Sequence, residues 1–323
     1  MAGILSLVQA AIVFGTVILF GAIGEILTEK SGSLNLGVPG IMYIGGIAGL
    51  AGAYLYESSV SAPEPLLCFL IALFCTLIAS CLAGLLYSFL TISLRANQNV
   101  TGLTLTIFGS GIANLFGGAM NKMAGGVGQI SVSTTSAAYR TTLPFFRGIS
   151  VLSSLGVLVY VAVILAIVMT WFLNRTRAGL NLRAVGENPA TADAAGIKVT
   201  KLKYIATCTG AAITGLGGLY YVLDYIKGTW ANDGGIEKLG WLAVALVIFA
   251  RWKPVHAIWG SYLFGVLFWL YFYIPGLDRS SQELFKMLPY IVTIAVLVIS
   301  SMRRSRENRP PAHLGLPYFR EER

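Results

Sequence analysis

Residues 183–218 read RAVGENPATADAAGIKVTKLKYIATCTGAAITGLGG. The first half is basic and polar, and it feeds directly into an apolar span rich in Gly, Ala and Thr. Asn188-Pro189 is a good helix start, because Pro tolerates the first helical position. The run ATADAAG that follows is a short helix closed by Gly196 as C-cap. Gly186 permits a sharp turn just before it. A short patterned loop of this kind, between membrane spans, is either a surface helix marking the membrane boundary or a docking element for a partner.

The rest of the chain decides the setting. It has 323 residues, of which 56% are hydrophobic and 11% charged, with a mean hydropathy of +0.74. A soluble domain needs about 25% charged residues, so lipid must cover this surface. The fold class is all-α, a polytopic helical membrane protein. The net charge of +9 does not point to nucleic acid, because the basic residues lie in short loops between apolar spans, where they set orientation. Cys68, Cys75, Cys81 and Cys208 all fall within apolar spans and read as small buried hydrophobes, with no disulfide framework or metal site.

Runs of about 20 apolar residues place spans near 4–24, 36–56, 65–92, 100–119, 151–173, 203–224, 239–251, 254–274 and 284–302. Nine crossings is the count, within a range of eight to ten, since 239–251 is short. The 120–150 stretch ends in Pro144 and PFFRG and has room for a re-entrant or surface helix. The N-terminus lacks a basic region before its apolar run, so it is a first permanent span with its start outside. Residues 1–302 then form the transmembrane domain. The loop at about 174–203, the Arg251/Lys253 turn and the basic tail 303–323, with Arg303, Arg304, Arg306, Arg309, Arg320 and Arg323, share one side. The Lys and Arg rule makes that side the cytoplasm. Lys122, Arg140 and Arg147 are exceptions in a long outer loop. Weak sequence symmetry leaves an inverted repeat open.

Polar residues at membrane depth are costly and face either a partner helix or a cavity. Asn35, Asn99 and Asn114 are the candidates for a solute pathway, with Asn114 the deepest. Asn99 is also the expected N-cap of the fourth span. Glu25 either pairs with Lys30 or caps local backbone, and Asp224 closes the sixth span. Small residues recur every fourth position at Thr207, Ala211 and Gly215, and again at Gly45, Gly49 and Ala53. Such stripes serve intramolecular packing or a subunit interface. The aromatic run at 259–275 reads as an interfacial anchor or a stacking surface. His256 and His313 have no partners in a catalytic spacing, so no catalytic or metal-binding residue is assigned.

RAVGENPATADAAGI resembles the cytoplasmic coupling loop of ABC importer permeases, in the ribose-type and branched-chain-amino-acid-type branch. GEILTEKSGSLNLGVPGIMYIGG at 24–46 is similar to that branch's first-loop signature. GWLAVALVIFARWKPVHAIWGSYLFG matches its late paired helices around a Trp-x-Pro turn. MLPYIVTIAVLVISS and PAHLGLPYFREER resemble the ends of nucleoside (simple sugar) permeases. Pro39 stands where many relatives carry an acidic residue, and it is expected to break or kink the second span.

The resemblance implies a permease subunit of an ATP-driven importer, most closely one for nucleosides. Simple sugars such as ribose are next and branched-chain amino acids third; a stand-alone secondary transporter is the alternative. It implies that Arg183, Gly186, Glu187, Asn188, Pro189, Asp193 and Gly196 form the ATPase-coupling loop, with Gly186 as pivot. It further implies three protein partners: an ABC ATPase, a second homologous permease forming a heterodimer, and an extracytoplasmic binding lipoprotein or periplasmic protein. The location is a bacterial plasma membrane. ATP-Mg would sit on the ATPase and no cofactor on this chain, which has no phosphate-binding G-x-x-x-x-G-K-[ST] loop; GGVGQ at 125–129 lacks the lysine.

Overall fold

The computed structural model describes residues 2–123, 130–141, 155–231, 233–274, 276, 278–302 and 309–319. The glycine cluster at 125–129, Pro144, Arg147, Arg303, Arg304, Arg306, Arg320 and Arg323 lie outside the described residues. Within them the chain is helical: α1 (Ala2–Lys30), α2 (Val38–Ser59), α3 (Pro65–Ser88), α4 (Gln98–Met123), α5 (Ser133–Arg140), α6 (Val157–Arg175), α7 (Arg177–Glu187), α8 (Pro189–Ala194), α9 (Val199–Tyr220), α10 (Gly235–Phe249), α11 (Pro254–Trp269), α12 (Arg279–Lys286) and α13 (Leu288–Met302). A π-turn extends α3 through Phe89–Ser93, and another extends α9 through Tyr221–Tyr225.

Seven of these helices are long and apolar enough to cross a membrane. Helix α10 has 15 residues, about 22 Å at 1.5 Å per residue, which is short of a ~30 Å hydrocarbon core; α13 is described as far as Met302. Among the described residues the nine expected spans correspond to seven full-length helices, the short α10, and α13. The short α10 survives because Leu239, Leu242, Ala243, Leu246 and Val247 are buried among its neighbours. The expected surface helix in 120–150 is α5.

The bundle is built around α1, α2 and α9. In α9, 72% of the most apolar window is buried and in α2 67%, against 28% in α3, so α3 is peripheral. Its Leu66, Leu70, Phe74, Ile78 and Leu82 are exposed at near four-residue spacing, an apolar stripe suited to lipid. The exposed Ile164, Ile167, Val168 and Trp171 do the same on α6.

Small residues bring the central backbones together. A Cβ on Gly45 would lie 2.7 Å from the Gly215 Cα, and one on Gly84 2.5 Å from the Ala211 Cβ. Both small-residue stripes are thus used inside the chain, and Gly45 and Gly215 belong to the α2–α9 seam. Pro39 does not kink the second span, as was expected. It sits in the first turn of α2, where its missing N–H would have no intrahelical acceptor, and its ring packs against Gly240 of α10.

The two ends of the bundle differ in charge. One end carries Lys30, Arg95, Arg175, Arg177, Arg183, Lys198, Lys201, Arg251, Lys253 and Arg309. The other end mixes Lys122, Arg140, Lys227 and Lys238 with Glu57, Glu64, Asp233 and Glu237. There Glu57 Oε1 accepts from the Thr135 N–H at 2.7 Å, which secures the first turn of α5, and Tyr139 Oη donates to the Phe69 carbonyl at 2.8 Å.

The α2–α9 seam is the most sensitive contact, because a Cβ on Gly218 would overlap the Met42 carbonyl oxygen. Gly218→Val is expected to destabilise by at least about 1–3 kcal/mol, read as a lower melting temperature in detergent. Gly111→Ala, where a Cβ meets nothing within 4 Å, should leave it unchanged.

Candidate coupling site

The patterned loop folds as two helices and a hinge. Thr176 caps α7, its Oγ1 accepting from the Gly179 N–H at 3.0 Å. Asn188, at φ −150°, ends α7 and caps α8; its Oδ1 accepts from the Thr191 N–H at 3.0 Å. Pro189 follows in the first turn. The C-terminus of α8 is a Schellman turn, in which Ile197 N–H donates to the Ala192 carbonyl and Gly196 N–H to the Asp193 carbonyl. Gly196 has φ +85°, which only Gly adopts cheaply. Val185, Ala192 and Val199 are buried together, with Ile197, Leu202 and Tyr318 packed on them. The element has its own small apolar core.

Gly186 plays a different part from the one expected. It lies inside α7 and makes no turn; the chain turns two residues later, at Asn188. Gly is needed there because a Cβ would strike the Lys30 carbonyl oxygen and lie 3.2 Å from the Gly32 N. Helix α7 is thereby seated directly on the end of α1. Arg183 is exposed and donates to Asn174 Oδ1 at 3.0 Å. The Glu187 carboxylate accepts from the Ala312 N–H at 3.3 Å, and Asp193 Oδ2 accepts from Tyr318 Oη at 3.0 Å.

Beneath this element lies the 31–37 loop, which is buried almost throughout. Glu25 Oε1 accepts from the Asn35 N–H at 3.0 Å, so Glu25 caps backbone and makes no ion pair with Lys30. Asn35 Oδ1 accepts from the Gly37 N–H at 2.9 Å. Gln98 Oε1 accepts from the Leu34 N–H at 2.7 Å, and Tyr87 Oη donates to the Leu34 carbonyl. The indole N–H of Trp252 donates to Glu29 Oε2. Sequence reasoning missed the roles of Glu29, Tyr87, Gln98 and Trp252. The available signal was the pair Glu25 and Glu29, four residues apart and so on one face of an apolar helix.

The three pathway asparagines are not brought together. Asn35 is spent on the loop. Asn99 is exposed on the first turn of α4 and is not its cap; Asn97 Oδ1 instead accepts from the Val100 N–H at 3.1 Å. Helix α4 begins two residues earlier than expected, at Gln98, which shifts the cap back to Asn97. Asn114 lies about 22 Å further along α4 by helical rise, and its Oδ1 is buried with no hydrogen-bond partner. Trp230 Nε1 and Asp224 Oδ2, also towards the far end, are likewise buried and unpartnered. Among the described residues no cluster of His, Cys, Asp or Glu could hold a metal ion.

The profile of the branched-chain amino acid transport system / permease component family matches residues 7–297. The chain belongs to that family. The permease is 31% identical to the guanosine ABC transporter permease protein of Bacillus subtilis, over 98% of this chain and 97% of the relative. It is 30% identical to a provisionally assigned glucose ABC transporter permease protein of Haloferax volcanii, over 92% of each. It is 28% identical to a nucleoside ABC transporter permease protein of Lactococcus lactis, over 91% of each. No solved structure matches. The permease is a multi-pass membrane protein, as family and helices agree.

Two substitutions separate the layers of this site. Asn188→Ala should cost about 1 kcal/mol, speeding amide exchange at Thr191 about fivefold while exchange in α9 is unchanged. Trp252→Phe removes the indole N–H that donates to the buried Glu29 and should lower stability by about 1–3 kcal/mol, measured by thermal unfolding in detergent.

Proposed function

We propose that this permease is the membrane subunit of an ATP-driven ABC importer that moves nucleosides by alternating access. The observation that carries the reading is the α7–α8 element: a capped helix pair with its own core, standing on the basic end and seated on α1. The concentration of Lys and Arg there supports a cytoplasmic side, with α8 and the 309–319 segment within reach of a soluble ATPase subunit. That subunit would bind ATP-Mg and perform hydrolysis. A binding lipoprotein or periplasmic protein would deliver solute to the opposite side, and a second, homologous permease would complete the pathway as a heterodimer. The location is the bacterial plasma membrane.

Nucleosides come first because two relatives carry guanosine or nucleoside in their names, and one of them aligns over 98% of this chain. A simple sugar is the second reading, favoured by the Haloferax volcanii relative. Coupling to an ion gradient is disfavoured by the carboxylates. Such coupling commonly uses acidic groups near mid-membrane, whereas Glu25 and Glu29 lie at the basic end and hold Asn35 and Trp252.

The test is uptake in proteoliposomes containing this chain, its ATPase, its partner permease and binding protein. Labelled guanosine and uridine are compared with glucose and ribose. ATP-dependent nucleoside uptake is expected, and it should be lost in Gly186→Val, which forces α7 off α1. Gradient-driven uptake by this chain alone, indifferent to that substitution, would overturn the reading.

A further inference from the structure

The segment 309–319 does not hang from the bundle. Pro311 is buried, and successive main-chain groups are used. The Ala312 N–H donates to the Glu187 carboxylate at 3.3 Å, and the His313 N–H to the Gly186 carbonyl at 3.0 Å. That carbonyl belongs to the last turn of α7, where helix geometry leaves acceptors without intrahelical donors. Two residues on, Gly315 N–H donates to the Gly32 carbonyl at 3.3 Å, with Gly315 at φ +80°. Gln98 Nε2 donates to the Leu316 carbonyl at 3.4 Å while its Oε1 holds Leu34, so one side chain of α4 grips the tail and the first loop together. Tyr318 places its ring on the Val185–Ala192–Val199 cluster and its hydroxyl on Asp193. The Arg95 guanidinium lies 4.5 Å over the Phe319 ring, a cation–π contact.

We propose that this C-terminal segment is a working part of the coupling apparatus, positioning α7–α8 against the first loop and α4 so that all three move as one body. This rests on the reading of α7–α8 as the ATPase-coupling element. A segment that only covered surface would use side chains on side chains. This one uses its main-chain donors on the end of α7 and on the loop, fixing its register on both. Displacement of α8 is then delivered to α1 through Gly186 and to α4 through the tail and Gln98. Tyr318 is a positioning residue: it touches no solute and acts through Asp193.

The test uses the complete transporter in proteoliposomes, with ATP hydrolysis and solute uptake measured on the same sample. Termination after Arg309 should lower solute moved per ATP by about tenfold, the scale of one lost hydrogen bond to a charged group, while hydrolysis continues. Because truncation can also impair insertion, Tyr318→Phe is measured beside it. It keeps the ring and should lower the same ratio with an unchanged melting temperature, and Tyr318→Ala should lower it further.

A second arm replaces the native cysteines and pairs Leu34→Cys with Gly315→Cys, where a Cβ on Gly315 would lie 3.7 Å from the Leu34 Cβ, within disulfide reach. Oxidation to the disulfide should leave uptake at the level of the same pair when reduced, since the joined parts already move together. Uptake abolished by oxidation and restored by reduction would overturn the proposal, because the tail would then have to detach in the cycle. An unchanged solute-to-ATP ratio in the Tyr318 variants and the truncation would overturn it as well. If wild type itself shows no ATP-dependent uptake, the coupling reading fails, and this proposal fails with it.

Discussion

A stretch of non-helical backbone is buried inside a helical bundle, and it needs a partner for each of its polar groups. Residues 31–37 form that stretch. An unsatisfied buried backbone group costs roughly 1–3 kcal/mol, so seven residues without partners would exceed the stability of most domains. The bundle supplies partners from many directions. Thr28 and Glu29 carbonyls take the N–H groups of Ser31 and Gly32, Gln98 and Tyr87 take both sides of Leu34, and Glu25 takes the N–H of Asn35. Thr106 donates to the Leu36 carbonyl at 3.0 Å, and Asn35 itself accepts from Gly37. Helices α1, α3 and α4 are thereby referenced to one loop, and the tail closes the set through the Gly32 carbonyl.

That loop also explains why α7 must approach so closely. Gly186 and Gly32 remove the two side chains that would separate α7 from α1, and main chain meets main chain. The same device recurs at depth, where Gly24 faces Gly210 and Gly45 faces Gly215. In lipid there is no hydrophobic gain from helix association, so close van der Waals contact is the main attraction available. Helices packed backbone to backbone also move as rigid bodies, because no long side chain between them can yield.

What could be read from sequence divides along physical lines. Local signals were legible: the Asn188-Pro189 start, the Gly196 stop, the apolar runs and the short α10 all depend on neighbours within a few positions. Three errors came from treating a residue's local habit as its role. Gly186 permits a turn, but here it permits contact; Pro39 breaks helices, but here it begins one; Asn99 is a good cap, but Asn97 reaches the right N–H. The hub of Glu29, Tyr87, Gln98 and Trp252 was not legible, because its members lie up to 223 positions apart and each resembles an ordinary interfacial side chain alone. The tail's use of Gly186 and Gly32 was hidden for the same reason, since main-chain contacts leave no mark in residue type. The three asparagines were singled out by polarity, and polarity alone could not say that one served a loop, one faced outward and one lay deep.

The α10–α11 turn extends this logic to strained backbone. Arg251 and Trp252 have φ of 54° and 55°, a left-handed pair that costs L-residues roughly 1–2 kcal/mol each. Two glycines would remove the strain. The turn keeps Trp252 because its indole is buried and its N–H reaches Glu29, a buried hydrogen bond to an acidic group worth about 1–3 kcal/mol that offsets much of the strain. The left-handed pair lets the buried indole reach Glu29 on the last turns of α1. The strain therefore belongs to the same constraint as the loop. Polar groups fixed at the basic end of α1 must be answered, and the short α10 is joined to α11 by whatever backbone brings Trp252 to them.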